Sequence, residues 1–225
     1  MRAVIFDLDG VLVRTDRFHD EAWRALARKL DIPFDETACR RLRGVSRMAA
    51  LNIVLEQSPR AYSAAEKTAL AAEKNERYRA LISALIPSDV EESTRAALSH
   101  LKASGLLLAV ASGSKNARFI LEQTTLTDYF DAIVDGSEIT RSKPDPEVFE
   151  RAVEMMGVLP AEALVVEDAA VGIRAARRGG FFSAALGPDA AAEGLADIEL
   201  HSLPELLPLL ADGGQSENAP LFRYP

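Results

Sequence analysis

Short runs of apolar residues recur along the chain, and each gives way to polar or charged residues at its end. The runs cover Ala3–Phe6, Leu106–Ala111, Ala132–Val134, Ala163–Val166 and Phe182–Leu186. Nearly every position in a run is apolar, which is typical of strands that helices bury on both faces. Because segments with helical periodicity separate most of the runs, the pattern predicts an α/β fold with a doubly wound, Rossmann-like parallel sheet.

The segment between the first two runs interrupts this alternation, because it is far longer than one crossover helix requires. Apolar residues recur within it at helical spacing in two stripes, made of Phe18, Ala22, Leu26 and Leu30 and of Tyr78, Leu81, Ile82 and Leu85. We therefore predict that residues 15–87, called the helical insert below, form an all-α cap domain. The α/β core would consist of residues 1–14 and 88–225, with Ser88 or Asp89 capping its first helix and the polar residues 212–225 forming a tail.

Charge and composition narrow the class of protein. The formal net charge is −8, from 26 Lys and Arg against 34 Asp and Glu, which argues against nucleic acid or an anionic membrane as a partner. No apolar run approaches the roughly 20 residues of a membrane-spanning helix, and the N-terminal run is too short for a signal peptide. The single cysteine, Cys39, has no partner for an internal disulfide. We expect a cytoplasmic monomer that acts on small molecules.

Polar residues of one chemical kind follow several of the predicted strands. They are Asp7 and Asp9 after the first run, Ser112, Gly113, Ser114, Lys115 and Asn116 after the second, Lys143 in the loop beyond the third, and Glu167 and Asp168 after the fourth. The carboxyl ends of parallel strands meet at one edge of a sheet, where ligands bind. Crowded carboxylates without His or Cys suit a hard cation such as Mg²⁺, and hydroxyls and amides before a helix suit a phosphate. This combination predicts phosphoryl transfer.

The two aspartates after the first strand then have candidate roles. Asp7 would be a carboxylate nucleophile that accepts the phosphoryl group, and Asp9 an acid and base for the substrate oxygen. Gly10 would allow the tight turn that follows. Taken singly, an Asp-x-Asp pair, a Glu-Asp pair or a serine here could simply cap a helix; their joint placement after separate strands favours catalysis.

The helical insert carries weaker signals. His19 and Trp23 share a helix face, and a core tryptophan beside a surface histidine explains them equally well. Arg43, Arg47 and Lys74 could each be a surface side chain whose apolar stem packs on the insert.

Four motifs in this order resemble the haloacid dehalogenase superfamily over about residues 3 to 187. They are DLDGV (7–11), Ser112 in ASGSKN, Lys143 in SKPDP and EDAAVGI (167–173). Within that superfamily, TDRFHDEAW (15–23), LRGVSR (42–47), EKNERY (73–78) and SGSKNA (112–117) are similar to the hinge, substrate loop, cap lysine and phosphate loop of the β-phosphoglucomutases. The chain departs from the pattern at Arg14, Arg43 and Gly113.

The resemblance implies roles for these residues. Mg²⁺ would be held by Asp7, the backbone carbonyl of Asp9 and Asp168, with Glu167 at or near the ion. Ser112 and Lys143 would hold the transferring phosphoryl group. The implied substrate contacts are Thr15, His19, Trp23, Arg43, Gly44, Val45, Ser46, Arg47, Lys74, Gly113, Ser114, Lys115 and Asn116.

The expected activity is therefore that of an isomerase, which interconverts β-D-glucose 1-phosphate and D-glucose 6-phosphate through an aspartyl phosphate. The same core motifs also fit a sugar-phosphate phosphatase, in which water accepts the phosphoryl group. The insert separates the two possibilities, because His19, Arg47 and Lys74 favour the mutase. A phospho-signalling receiver domain fits poorly, since it lacks a helical insert after its first strand.

Overall fold

The computed structural model describes residues 1–211, and the predicted tail at 212–225 lies outside the described residues. Its six strands are β1 (Ala3–Phe6), β2 (Leu107–Ala111), β3 (Ala132–Val134), β4 (Ala163–Glu167), β5 (Phe182–Leu186) and β6 (Ile198–Leu200). They form one parallel sheet in the order β3-β2-β1-β4-β5-β6. The predicted doubly wound α/β fold is confirmed, and β1, which carries the two aspartates, lies between β2 and β4.

Ten α-helices accompany the strands within the described residues. They are α1 (Asp16–Lys29), α2 (Glu36–Arg41), α3 (Arg47–Leu55), α4 (Ala64–Ile82), α5 (Glu92–Ala103), α6 (Ala117–Gln123), α7 (Glu147–Met156), α8 (Ala170–Arg178), α9 (Pro188–Ala191) and α10 (Leu206–Ala211). The first four fill the segment between β1 and α5. No helix in residues 1–211 combines the length and the apolar character needed to cross a bilayer.

Alternate residues of the strands enter two separate apolar clusters on opposite faces of the sheet. Val4 and Phe6 belong to one cluster, whereas Ala3 and Ile5 belong to the other. Both faces are buried by helices, and this explains why the strand runs are apolar throughout.

The helical insert has an apolar cluster of its own and also shares one with the α/β core. Trp23, Leu26 and Leu51 pack inside the insert. Tyr78 and Ile82, near the end of α4, instead join the cluster on one face of the sheet. This shared packing anchors the end of α4 beside the carboxyl ends of the strands.

One local expectation is wrong, and one strand was not predicted. The helix after the insert begins at Glu92 without a side-chain cap, and Asp89 accepts a hydrogen bond from the backbone N–H of Ile86 instead. The edge strand β6 has no counterpart among the predicted runs, because it is three residues long and its central Glu199 faces solvent.

Candidate active site

Lys143 connects the ends of β1 and β4. Its Nζ lies 2.5 Å from Asp7 Oδ1 and 2.5 Å from Glu167 Oε1, and only 2% of its side chain is exposed. Burial disfavours the charged amine, but the two carboxylates outweigh burial and raise the pKa of Lys143 above its ordinary value. The lysine is therefore a fixed positive charge between two buried acids.

Three carboxylates meet beside this lysine in a geometry that fits a divalent cation. Asp7, Glu167 and Asp168 each offer an oxygen, and these oxygens lie within 4.8 Å of one another. Burial raises the pKa of Asp7 to about 8, with repulsion from Glu167 contributing, and burial with the charge of Glu167 raises the pKa of Asp168. An oxygen-only cluster whose members repel one another suits Mg²⁺.

A glycine makes room for this cluster. Gly10 has a φ of +86°, and a Cβ added there would lie 2.0 Å from Asp168 Oδ2. The turn after β1 thus needs a residue that tolerates positive φ and has no side chain. This is the tight turn that the sequence predicts at Gly10.

Asp9 makes its side-chain contacts with residues of the helical insert. Its Oδ1 accepts hydrogen bonds from the hydroxyls of Thr15 and Tyr78, the latter at 3.3 Å, and His19 Nε2 lies 3.6 Å away. Burial acts to raise the pKa of Asp9, but His19 and the two hydroxyls outweigh it, and the pKa falls below its ordinary value. Residues of the insert therefore determine the charge and orientation of Asp9.

Lys74 lies behind His19 and is almost fully buried. Its Nζ is 2.9 Å from His19 Nδ1 and 4.7 Å from the centre of the Trp23 ring. Burial, together with the nearby charge of Arg47, lowers the pKa of Lys74 to about 7. Burial and Lys74 lower the pKa of His19 as well. An anionic ligand at this wall would restore the charge on the lysine.

The loop after β2 is arranged by its own hydroxyls. Ser112 Oγ accepts from the backbone N–H of Ser114 at 3.0 Å, and Ser114 Oγ accepts from that of Asn116 at 3.2 Å. The Asn116 side chain donates to Asn75 Oδ1 on α4 at 3.0 Å. The loop therefore contacts the helical insert directly.

The loop between α2 and α3 forms the opposite wall. Ser46 caps α3 by accepting from the N–H of Ala49 at 3.3 Å, which fixes Arg47 as the first residue of that helix. Burial lowers the pKa of Arg47. Within residues 1–211, neither Arg47 nor Lys74 lies within 4 Å of a carboxylate oxygen. These two cations thus have no acidic partner among the described residues.

One cavity of about 460 Å³ lies between the insert and the core, and most of the predicted site residues line it. From the core these are Asp7, Asp9, Ser112, Gly113, Ser114, Lys115, Asn116, Lys143 and Asp168, and from the insert His19, Trp23, Arg43, Gly44, Val45, Ser46, Arg47 and Lys74. Thr15 and Glu167 do not line it. Thr15 is fully buried and reaches the site only through Asp9, and Glu167 does so through Lys143.

Some residues of the site were not among the predicted ones. Tyr78 contacts Asp9, stacks on His19 with ring centres 3.9 Å apart, and lines the cavity. Its position four residues after Lys74 places both on one helix face, which was the available signal. Asp16, Asp20 and Asn75 also line the cavity; they lie within the segments TDRFHDEAW and EKNERY, but were not singled out there as site residues.

Comparisons with known proteins identify relatives of two activities. A family model described as haloacid dehalogenase-like hydrolase matches residues 1–180. The chain is 40% identical to the β-phosphoglucomutase of Bacillus subtilis over 83% of its length and 84% of that protein's. It is 32% identical to a phosphorylated carbohydrates phosphatase of Thermotoga maritima over 80% of its length and 82% of that protein's. A crystal structure of β-phosphoglucomutase from Clostridium difficile matches with a TM-score of 0.86 at 33% identity, covering 92% of this chain and 93% of that one.

Proposed function

This chain belongs to the haloacid dehalogenase-like hydrolase family, and we propose that within the family it is a β-phosphoglucomutase. It would interconvert β-D-glucose 1-phosphate and D-glucose 6-phosphate through an aspartyl phosphate on Asp7 and a bound β-glucose 1,6-bisphosphate. The mutase of B. subtilis, at 40% identity, supports this assignment.

The observation that carries the proposal is the presence of cations on both walls of one cavity. Lys143 lies beside Asp7 at the reacting end, whereas Arg47 and Lys74 line the insert wall without an acidic partner in residues 1–211. A phosphatase acting on a monophosphate requires one phosphate site, but a mutase must also hold the phosphate that is not reacting. A guanidinium can bind a phosphate through two hydrogen bonds, which suits Arg47 to that second position.

The chain's residues would act in two half-reactions. In the first, a sugar hydroxyl gives its proton to Asp9 as its oxygen bonds to the phosphorus on Asp7, and the bond from phosphorus to the Asp7 carboxylate breaks. The bisphosphate then turns round in the cavity. In the second, the Asp7 carboxylate bonds to the other phosphorus, and Asp9 returns the proton to the departing sugar oxygen.

The remaining groups would bind and orient the substrate. Lys143 and the hydroxyl of Ser112 hold the transferring phosphoryl group, and the helical insert excludes water from the aspartyl phosphate. Asp7, Asp168, the backbone carbonyl of Asp9 and nearby Glu167 would hold Mg²⁺. When bound, this ion neutralises charge on the phosphoryl oxygens.

A sugar-phosphate phosphatase is the second candidate. It is supported by the T. maritima relative at 32% identity and by core groups that serve either acceptor. In that case water would replace the sugar hydroxyl as the group that gives a proton to Asp9.

The deciding experiment measures two products from one reaction. Purified protein receives β-glucose 1-phosphate, Mg²⁺ and a trace of glucose 1,6-bisphosphate, and glucose 6-phosphate and free phosphate are quantified together. We expect glucose 6-phosphate to predominate. Predominant release of phosphate would establish the phosphatase instead.

A variant tests the second phosphate site. Arg47→Ala should lower mutase turnover by about 10- to 100-fold, because charged hydrogen bonds are worth about 1.5–3 kcal/mol, while hydrolysis of a small aryl phosphate falls much less. Arg41→Ala is the matched control, since Arg41 lies in the same segment but pairs with Glu56 outside the cavity. Equal losses of both activities in Arg47→Ala would show that Arg47 is structural.

A further inference from the structure

An ion pair joins the helical insert to the α/β core at the rim of the cavity. Arg43 Nη1, in the loop between α2 and α3, lies 2.5 Å from Asp189 Oδ2, in the short helix that follows β5. The two residues are 146 positions apart in the sequence. Asp189 does not line the cavity and was not among the predicted site residues.

The loop that carries Arg43 rests on the core at the next residue. Gly44 has a φ of +68°, and a Cβ added there would lie 2.5 Å from Val171 Cγ1 and 3.2 Å from the Cβ of Ala169. Ala169 directly follows Asp168 in the acidic cluster. The ion pair and this close contact thus hold one end of the loop against the core, and Arg47 begins the helix at its other end.

The Arg43 guanidinium is oriented through one side only. Its Nη1 donates to Asp189, whereas its Nε is buried and has no hydrogen-bond partner within residues 1–211. Arg43 also lines the cavity. Its ion pair with Asp189 therefore orients a guanidinium whose Nε forms no hydrogen bond with the rest of the described chain.

We propose that Asp189 is a positioning residue for the reaction: acting through Arg43, it holds the loop between α2 and α3 against the core and keeps the cavity closed. That Asp189 helps to close the cavity is inferred only from the contacts of Arg43 and Gly44 with the core. Its consequence for product ratio rests on the proposed function, because a looser loop would admit water to the aspartyl phosphate.

The expected effect is moderate, because the pair is partly exposed. The side chains of Arg43 and Asp189 are 35% and 41% exposed. Loss of such a pair should change the equilibrium between the closed and open cavity by about two- to fivefold. The effect should also weaken with salt, since exposed charges are screened.

The test uses Asp189→Asn in the full chain, with Trp23 as an intrinsic probe. Trp23 is the single tryptophan of the sequence, is 3% exposed and lines the cavity, so quenching of its fluorescence by acrylamide reports opening. We expect quenching to increase about twofold in Asp189→Asn at low salt. Wild type should approach the variant at about 1 M salt, where screening is strong, while the variant changes little.

Two further variants make the result specific. Asp189→Glu keeps the charge and should restore wild-type quenching. Glu73→Gln removes one charge from the Lys29–Glu73 pair, 2.7 Å long and confined to the insert, and should leave quenching unchanged. Equal quenching in wild type, Asp189→Asn and Glu73→Gln, or a salt response that Asp189→Asn retains in full, would overturn the proposal.

Kinetics supply the second readout. If the chain is a mutase, Asp189→Asn should raise the ratio of free phosphate to glucose 6-phosphate about two- to fivefold, and an unchanged ratio would contradict the positioning role. If the wild type releases only phosphate, the proposed function fails, whereas the fluorescence result still decides whether Asp189 closes the cavity.

Discussion

Replacing Lys143 by methionine tests whether positive charge from two sources, the lysine and a divalent cation, balances the acidic cluster. Methionine keeps most of the length and volume of lysine, so the variant removes mainly the charge. Lys143 Nζ lies 2.5 Å from both Asp7 and Glu167, and 2% of the side chain is exposed. Removing one partner of such a buried pair costs about 3–5 kcal/mol, which we expect as the loss in the free energy of unfolding without Mg²⁺.

Magnesium should recover part of that loss. An ion that binds only the folded state stabilises it by about 2.7 kcal/mol at 100 times its dissociation constant. In Lys143→Met the three carboxylates of the cluster no longer share a lysine, so they should bind Mg²⁺ more tightly than in the wild type. With saturating Mg²⁺ both proteins gain stability, so only the ratio of their affinities matters: tenfold tighter binding by the variant would narrow the loss of about 3–5 kcal/mol by about 1.4 kcal/mol.

The assay is urea denaturation of both proteins, once with Mg²⁺ and once with a chelator. Lys67→Met is the control, because Lys67 bonds to Asn52 at an exposed position, and its effect should stay within about 0.5 kcal/mol. A loss in Lys143→Met that is the same with and without Mg²⁺ would refute the reasoning, since the lysine and the ion would then act independently.

Two further substitutions probe the same site. Gly10→Ala and Gly105→Ala both place a side chain at positive φ, +86° and +82°, and Gly105→Ala should therefore lose about 1–2 kcal/mol in denaturation. Gly10→Ala should lose more, because its Cβ also meets Asp168. For the same reason only Gly10→Ala should weaken Mg²⁺ binding, by about 10-fold or more in a calorimetric titration, and equal Mg²⁺ affinities would contradict this. Lys74→Met should stabilise the ligand-free protein by about 4–5 kcal/mol below pH 7, because the pKa of Lys74 is about 7 in the folded state and that of an unfolded lysine about 10.4, and each pKa unit corresponds to about 1.4 kcal/mol. Between these two pKa values the unfolded chain therefore binds more protons than the folded one. The cost of burying the lysine is complete below pH 7 and declines as the pH rises towards 10. A stability difference between Lys74→Met and wild type that does not vary with pH would disprove this account.

The strands were predictable because burial on both faces leaves a continuous apolar signal. Ala3–Phe6 and Phe182–Leu186 have the predicted bounds. The edge strand β6 escaped prediction since only two of its three residues are buried. Length and periodicity also predicted helices between β1 and β2. They did not predict that Tyr78 and Ile82 would pack against the sheet, because an apolar stripe on a helix does not show which neighbouring element buries it.

The core side of the candidate site was predictable for a related reason. In a parallel sheet, topology alone brings Asp7, Glu167 and the residues after β2 to one edge. Contacts from the insert depend instead on how two bodies meet. The Arg43–Asp189 pair and the hydrogen bond from Tyr78 to Asp9 join residues whose own neighbourhoods carry no such signal.

The charges around Asp7 indicate why a nucleophile at this position would depend on a cation. Three carboxylates and one ammonium leave two uncompensated negative charges in a buried space. Burying these two charges costs free energy. Burial, with repulsion from Glu167, accordingly raises the pKa of Asp7 to about 8. A protonated carboxyl is a poor nucleophile, so this raised pKa works against the role proposed for Asp7. A divalent cation supplies the two missing positive charges and favours the carboxylate, which accounts for a site with three acids and one lysine rather than paired charges.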